Sequence, residues 1–291
     1  MQTLVTFVFK FLAALPLAWL HKLGNLLGSL GFRVLSKDRR RVFENMKLAG
    51  LNPTDEAVKK VFRETAKGGL ELPVAFFRRP EEIENLFVSV NGWEHVQTAL
   101  SAGEGLLFIT PHIGSYDLAG RYISQQLPFP LTAMYKPPKI KAFDAVMQAG
   151  RVRGKGKTAP TSIQGVKQII KALRGGEATI VLPDHVPSPE EGGDGEWVDF
   201  FGKPAYTMTL AGKLAQVKGV KALFFCGERL SDGKGFVLHI EPLRGELNGD
   251  KENDARVINE NTEYWIRRFP EQYLFMYNRY KHPEGAPLPP A

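Results

Sequence analysis

From residue 86 onward, short β-rich runs alternate with amphipathic stretches, and this alternation restricts the fold more than any other feature. The runs Phe87–Val90, Gly105–Thr110, Leu131–Tyr135, Thr179–Leu182, Leu223–Gly227 and Phe236–Ile240 have strand length and strand-forming side chains. Between them, Asp117–Gln126, Ile140–Ala149, Ile163–Leu173, Thr207–Gln216 and Asn253–Phe269 read as helices. Alternation of this kind predicts an α/β fold with a mainly parallel central sheet flanked by helices, because parallel neighbours need a crossover long enough to hold a helix. Residues 38–83 read as helical, interrupted at Asn52-Pro53-Thr54, with Thr54 a candidate N-cap before Asp55-Glu56. Pro187–Glu196 reads as a polar loop, and no internal repeat is present. The expected organisation is an N-terminal membrane-associated helical segment (1–32), an α/β domain (33–282) and a Pro-rich disordered tail (283–291).

The membrane expectation comes from residues 3–20, which are apolar except for Thr3, Thr6 and Lys10, with Pro16 a possible kink. Leu23–Phe32 extends the apolar region. A spanning helix needs ~20 mostly apolar residues, so residues 3–20 are marginal alone, and a core helix of a soluble domain is the competing reading. A cleaved signal peptide fits less well, because no cation precedes the apolar stretch and no small-residue cleavage site closes it. The net charge is +7, and the first 50 residues hold eight Lys or Arg against Asp38 and Glu44. Cations that directly follow the apolar stretch suit anionic headgroups better than a nucleic-acid backbone, and no nucleic-acid motif accompanies them. The positive-inside rule keeps the remainder of the chain cytoplasmic. The single cysteine, Cys226, lies in an apolar run and reads as a buried structural thiol.

The segment Gly105–Asp117 (GLLFITPHIGSYD) carries the sharpest chemical signal. A buried strand ends at Thr110-Pro111, His112 sits in a turn containing Gly114, and Asp117 opens the next helix. Ligands of open α/β sheets bind outside the carboxyl ends of the strands, which is where this arrangement puts His112. On one helix the two side chains would diverge by ~140°, but the turn lets His112 fold back onto Asp117. A carboxylate that accepts one imidazole N–H fixes the tautomer and leaves the other nitrogen as a base. Taken alone, H-x4-D reads more readily as a satisfied histidine in a β–α turn with an aspartate favouring the helix dipole. Asp184-His185 also follows a strand and reads either as part of the same cleft or as a turn pair.

Further blocks resemble a known family. Tyr135–Lys155 (YKPPKIKAFDAVMQAGRVRGK) is similar to a Y-R-P…G-R-x-R block, with Lys136 where arginine is common and Arg151 and Arg153 matching the later pair. LPDHVPSP (Leu182–Pro189), WVDFFGKPAYT (Trp197–Thr207) and PEQYLFMYNRYKHPEG (Pro270–Gly285) are similar to three more blocks, the last retaining Arg279 and replacing the preceding arginine with Asn278. With H-x4-D they resemble the late acyltransferases of lipid A biosynthesis, the lauroyl and myristoyl transferases of Gram-negative bacteria, within the glycerolipid-type acyltransferases. The resemblance implies transfer of a fatty acyl chain from acyl carrier protein to a hydroxyl of a Kdo-bearing lipid A precursor, at the cytoplasmic side of the inner membrane and without a cofactor. In this reading His112 and Asp117 are catalytic, and Lys136, Arg151, Arg153, Asp184, His185 and Arg279 bind substrate. Oxyanion donors are backbone N–H groups near Gly114 or one of the arginines. Phe200-Phe201-Gly202 shapes an apolar pocket or a lip for the acyl chain, and His21, His95, His239 and His282 show no partner pattern.

Three readings compete. A phospholipid or other membrane-lipid acceptor keeps the same chemistry. A metal hydrolase would use His112, Asp117, Asp184 and His185, but no metal-ligand spacing such as H-E-x-x-H is present. A non-enzymatic membrane protein explains the amino terminus but not the His112 constellation.

Overall fold

The computed structural model describes residues 2–138 and 141–289. Its amino-terminal part is helical, with α1 (Gln2–Ala14), α2 (Leu17–Val34), α3 (Ser36–Leu48), α4 (Asp55–Phe77) and the short α5 (Pro80–Glu84). A proline inside a helix lacks a donor and clashes with the preceding turn. Pro16 accordingly separates α1 from α2, which meet at a bend of 117°. Thr54 caps α4 as the sequence predicts, its hydroxyl accepting the Ala57 N–H at 3.1 Å. Helix α2 lies directly on α4: a Cβ at Gly28 would meet the Arg63 Cα at 2.4 Å, so a side chain there would push the helices apart.

The remainder is the predicted α/β layer. In order come β1 (Phe87–Asn91), α6 (Trp93–Ser101), β2 (Gly105–Ile109), α7 (Tyr116–Gln126), β3 (Leu131–Tyr135), α8 (Lys141–Arg151), β4 (Gly156–Pro160), α9 (Ile163–Arg174) and β5 (Ala178–Val181). A hairpin of β6 (Gly195–Phe200) and β7 (Lys203–Met208) follows, then α10 (Leu210–Ala215), β8 (Val220–Arg229), β9 (Phe236–Pro242) and α11 (Lys251–Arg268). Seven strands form one sheet in the order β1-β9-β8-β2-β5-β3-β4. From β8 to β4 all neighbours are parallel, whereas β9 runs antiparallel to β8 and β1 follows the direction of β9.

Strand β2 is buried at every position, as expected of a near-continuous apolar run with both faces covered. Its side chains alternate between two cores. Leu107 and Ile109 pack with Phe224, Cys226, Ile258 and Trp265 on one face, and Leu106 and Phe108 with Leu223, Phe225 and Ile240 on the other. Each buried phenylalanine stabilises the layer by about 1.5–3 kcal/mol. Cys226 is fully buried, which pushes its thiol well above the ordinary range.

The structure departs from the sequence expectations at identifiable places. Strand β4 (GKTAP) contains Lys157 and Pro160, which an edge strand tolerates and a central one does not. The β6–β7 hairpin turns on Phe201 and Gly202, with φ of 52° and 70°, the left-handed pair that two-residue hairpins require. Phe201 is held there by its N–H donating to Glu263 at 2.6 Å. Thr207 pairs with Glu196 in that hairpin, so the helix expected from residue 207 starts only at Leu210. Ile140, the expected start of α8, lies outside the described residues. Among the described residues no single helix is long and apolar enough to cross a membrane, although the bent α1–α2 pair together meets that length and composition.

Candidate active site

The carboxyl ends of β2 and β5, which pair side by side, support the site. After β2 the chain makes the expected turn. Gly114 has φ +59°, and a Cβ there would lie 2.0 Å from the Gly227 carbonyl oxygen of β8, so the turn requires glycine. Every backbone N–H from His112 to Ser115 is committed. His112 donates to Asp184 Oδ2 (3.0 Å), Ile113 to the Pro111 carbonyl (2.7 Å), Gly114 to Gln272 (3.0 Å) and Ser115 to Gly227 (2.8 Å). Backbone amides near Gly114, one of the two expected sources of oxyanion donors, are therefore already occupied.

The partner of the His112 ring is Asp184, not Asp117 as expected. His112 Nδ1 lies 2.8 Å from Asp184 Oδ1, which leaves Nε2 as the nitrogen available to a substrate. The correction has a simple cause. Asp184 follows β5, whose pairing with β2 brings the two turns together, whereas Asp117, on the first turn of α7, is paired with Arg151. Asp184 also accepts from the buried Tyr273 hydroxyl. Burial alone would raise the Asp184 carboxyl, but the His112 charge and hydrogen bonds outweigh it and hold the group down at about 2. Burial likewise opposes a charge on His112, yet the Asp184 carboxylate prevails and lifts the imidazole above its ordinary value.

Asp117 occupies the other side of the histidine. It pairs with Arg151 at 3.5 Å and accepts from the Tyr116 hydroxyl. Burial raises its pKa despite the attraction of Arg151 and His112. Arg151 ends α8, is partly exposed, and keeps a buried Nε without a partner. Lys136 is exposed and paired with Glu191.

His185 lies flat on His112, with ring centroids 4.0 Å apart and planes 11° from parallel, and Tyr277 stacks on its other face at 4.2 Å. Burial and the neighbouring His112 charge lower its pKa to about 4, so it is neutral at physiological pH. A neutral ring in this position adds no like charge beside an imidazolium.

Two arginines expected to bind substrate have internal partners instead. Arg153 donates to the Phe76 and Arg78 carbonyls at the end of α4. Arg279 is buried and donates to the Tyr206 carbonyl, Thr207 and Asn259, tying β7 to α11. Neighbouring Tyr273 and Tyr277 belong to the same sequence block and reach the site, but the sequence singled out only the charge. Among the described residues no group of three or more His, Cys, Asp or Glu side chains is arranged to hold a metal.

A histidine held by a carboxylate at the end of a parallel sheet, with an arginine paired to a second carboxylate nearby, is an arrangement able to accept a proton from a bound hydroxyl. Residues 1–282 match the model of the bacterial lipid A biosynthesis acyltransferase family, and the chain belongs to that family as an acyltransferase. It is similar to the lipid A biosynthesis lauroyltransferase of Escherichia coli K12, 28% identical over 280 residues that cover 94% of this chain and 89% of that protein. The lipid A biosynthesis myristoyltransferase of the same organism is 28% identical over 88% of this chain and 78% of its own length. A lipid A biosynthesis acyltransferase of Haemophilus influenzae is 26% identical over 93% and 84%.

Proposed function

We propose that this acyltransferase moves a fatty acyl chain from acyl carrier protein to a hydroxyl of a Kdo-bearing lipid A precursor, with His112 as general base. The observation that carries the reading is the His112–Asp184 pair, which leaves Nε2 free beside Arg151. Nε2 removes the acceptor hydroxyl proton as the oxygen attacks the thioester carbonyl. Asp184 holds the ring and stabilises the imidazolium. Arg151, partly exposed and held by Asp117, supports the developing oxyanion. Collapse of the tetrahedral intermediate breaks the carbon–sulfur bond, and the imidazolium returns the proton to the departing thiolate. The exposed Lys136 and the partly exposed Arg151 attract acceptor phosphates or sugar acids.

The reaction takes place at the cytoplasmic face of the inner membrane. In support, α1 and α2 expose Leu4, Phe7, Phe11, Trp19, Leu26 and Leu30 to solvent, and Lys10, Lys22 and Arg33 are exposed among them. An apolar surface with cations around it suits an anionic bilayer. The exposed Arg39, Arg40 and Arg41 offer an acidic carrier protein a cationic approach. Purified protein incubated with acyl carrier protein thioester and Kdo-lipid A precursor is expected to yield a product heavier by one acyl chain in mass spectrometry. Transfer to lysophospholipid, with none to the lipid A precursor, would exclude this acceptor.

A further inference from the structure

Beneath the turn that carries His112 lies a buried charge cluster that the chemistry above does not use. The Arg229 side chain, 1% exposed at the end of β8, makes a two-point pair with Glu71 of α4, Nε to Oε1 at 2.5 Å and Nη2 to Oε2 at 2.7 Å. Its Nη1 reaches Glu64 at 2.8 Å. The same Nη2 also donates to the Gly114 carbonyl at 3.0 Å, on the far side of the turn from the catalytic imidazole. Its backbone is fixed as well, because Gln272 both accepts from Arg229 N–H (2.9 Å) and donates to its carbonyl (3.0 Å). The same Glu71 Oε1 also meets Nε2 of His21, on α2, at 2.7 Å. Glu71 is held down at about 2: burial would raise it, but Arg229 and His21 outweigh that.

The other supports of the turn come from the α/β body: Asp184, Gln272, Gly227 and the Leu274 N–H on the His112 carbonyl. Arg229 reaches the turn from the body too, but it continues through Glu71 and His21 into the helices that bear the exposed apolar face. A single guanidinium with five donors in a fixed plane can serve both sides at once, which a lysine cannot do. The geometry points to Arg229 as a positioning residue for His112, keying the catalytic turn to α2 and α4. This role rests on His112 being the base proposed above. Displacement of α2 would be felt at Gly114 through three hydrogen-bonded side chains, His21, Glu71 and Arg229, and no flexible loop.

The test compares wild type with Arg229→Met/Glu71→Met, an apolar exchange that leaves no buried charge unpaired between these two partners. The groups facing His112, namely Asp184, Asp117, Arg151, His185 and Tyr116, are unchanged in it. The expected result is kcat reduced about tenfold to a hundredfold, as for a small misplacement of the base, with KM within about twofold. The acid limb of the rate profile shifts and amide exchange accelerates in the peptide spanning residues 111–118. Unchanged kcat, profile and exchange in a folded double variant would overturn the role and leave the cluster structural. If the double variant does not fold, Arg229→Lys and His21→Leu are measured instead. A kcat lowered in both supports the role, and wild-type kcat in either overturns it. If wild type itself acylates no lipid A precursor, the acyl-transfer reading has failed, and exchange at residues 111–118 alone decides the positioning role.

Discussion

Two aspartates flank His112 from opposite sides, and their surroundings differ in every respect that matters to proton transfer. On the floor of the site, Asp184 is 3% exposed and takes the His112 backbone N–H, the ring Nδ1 and the Tyr273 hydroxyl. Toward the opening, Asp117 is partly exposed, faces an arginine with an unused donor, and accepts from Tyr116. The floor holds His112 at two points, its backbone N–H and its ring Nδ1, so it defines where the imidazole points. The opening is the more exposed side, with Asp117 at 21% and Arg151 at 29% against 3% for Asp184, so it is where a substrate can be met. In the proposed mechanism the H-x4-D spacing therefore brings together the base and the holder of an arginine, while the group that orients that base lies 72 residues downstream of it.

The largest expected effect breaks both sides at once. His112→Ala should lower acyl transfer by about 10²–10⁴-fold, the usual contribution of a general base, with unchanged far-UV circular dichroism. Asp184→Asn comes next: the amide presents the wrong partner to Nδ1, and kcat should fall by at least about a hundredfold. The pH profile sharpens this prediction. The His112 pKa is raised in the native protein, so the neutral base is depleted as pH falls and activity declines below a midpoint above 6.5. Removing the Asp184 charge should move that midpoint downward.

On the opening side the effects are smaller and interdependent. Asp117→Asn should cost about tenfold in kcat/KM, and Asp117→Asn/Arg151→Met should be little worse than Arg151→Met alone, because residues acting as a unit are not additive. Arg279→Ala should act on folding rather than on chemistry. It strips partners from buried Thr207, Asn259 and the Tyr206 carbonyl, at a cost of about 3 kcal/mol measured by chemical denaturation. Activity per folded molecule should change least of all in this series.

Periodicity made the parallel layer legible, because β2, β5 and β8 are apolar runs bounded by helical stretches. It missed β4, whose edge position tolerates lysine and proline, and β6–β7, whose turn uses a phenylalanine at positive φ. His112, Asp184 and His185 were legible as residues following strands, but which carboxylate faces the imidazole depends on β2 lying beside β5. Sequence order carries no trace of that pairing. The carboxylate partners of His21 and His239 were equally hidden, since Glu71 is 50 residues from His21 and Glu228 stands across the β8–β9 ladder from His239. Arg279 shows what a motif leaves out: a charge in a family-like block invites a substrate role, while the fold buries it against Tyr206, Thr207 and Asn259.

The division between floor and opening is tested most directly by titrating the His112 imidazole by NMR in wild type, Asp184→Asn and Asp117→Asn. The expected order is a wild-type midpoint above 6.5, a large fall in Asp184→Asn and a smaller one in Asp117→Asn. A larger fall in Asp117→Asn than in Asp184→Asn would contradict the assignment of Asp184 as the residue that orients the base.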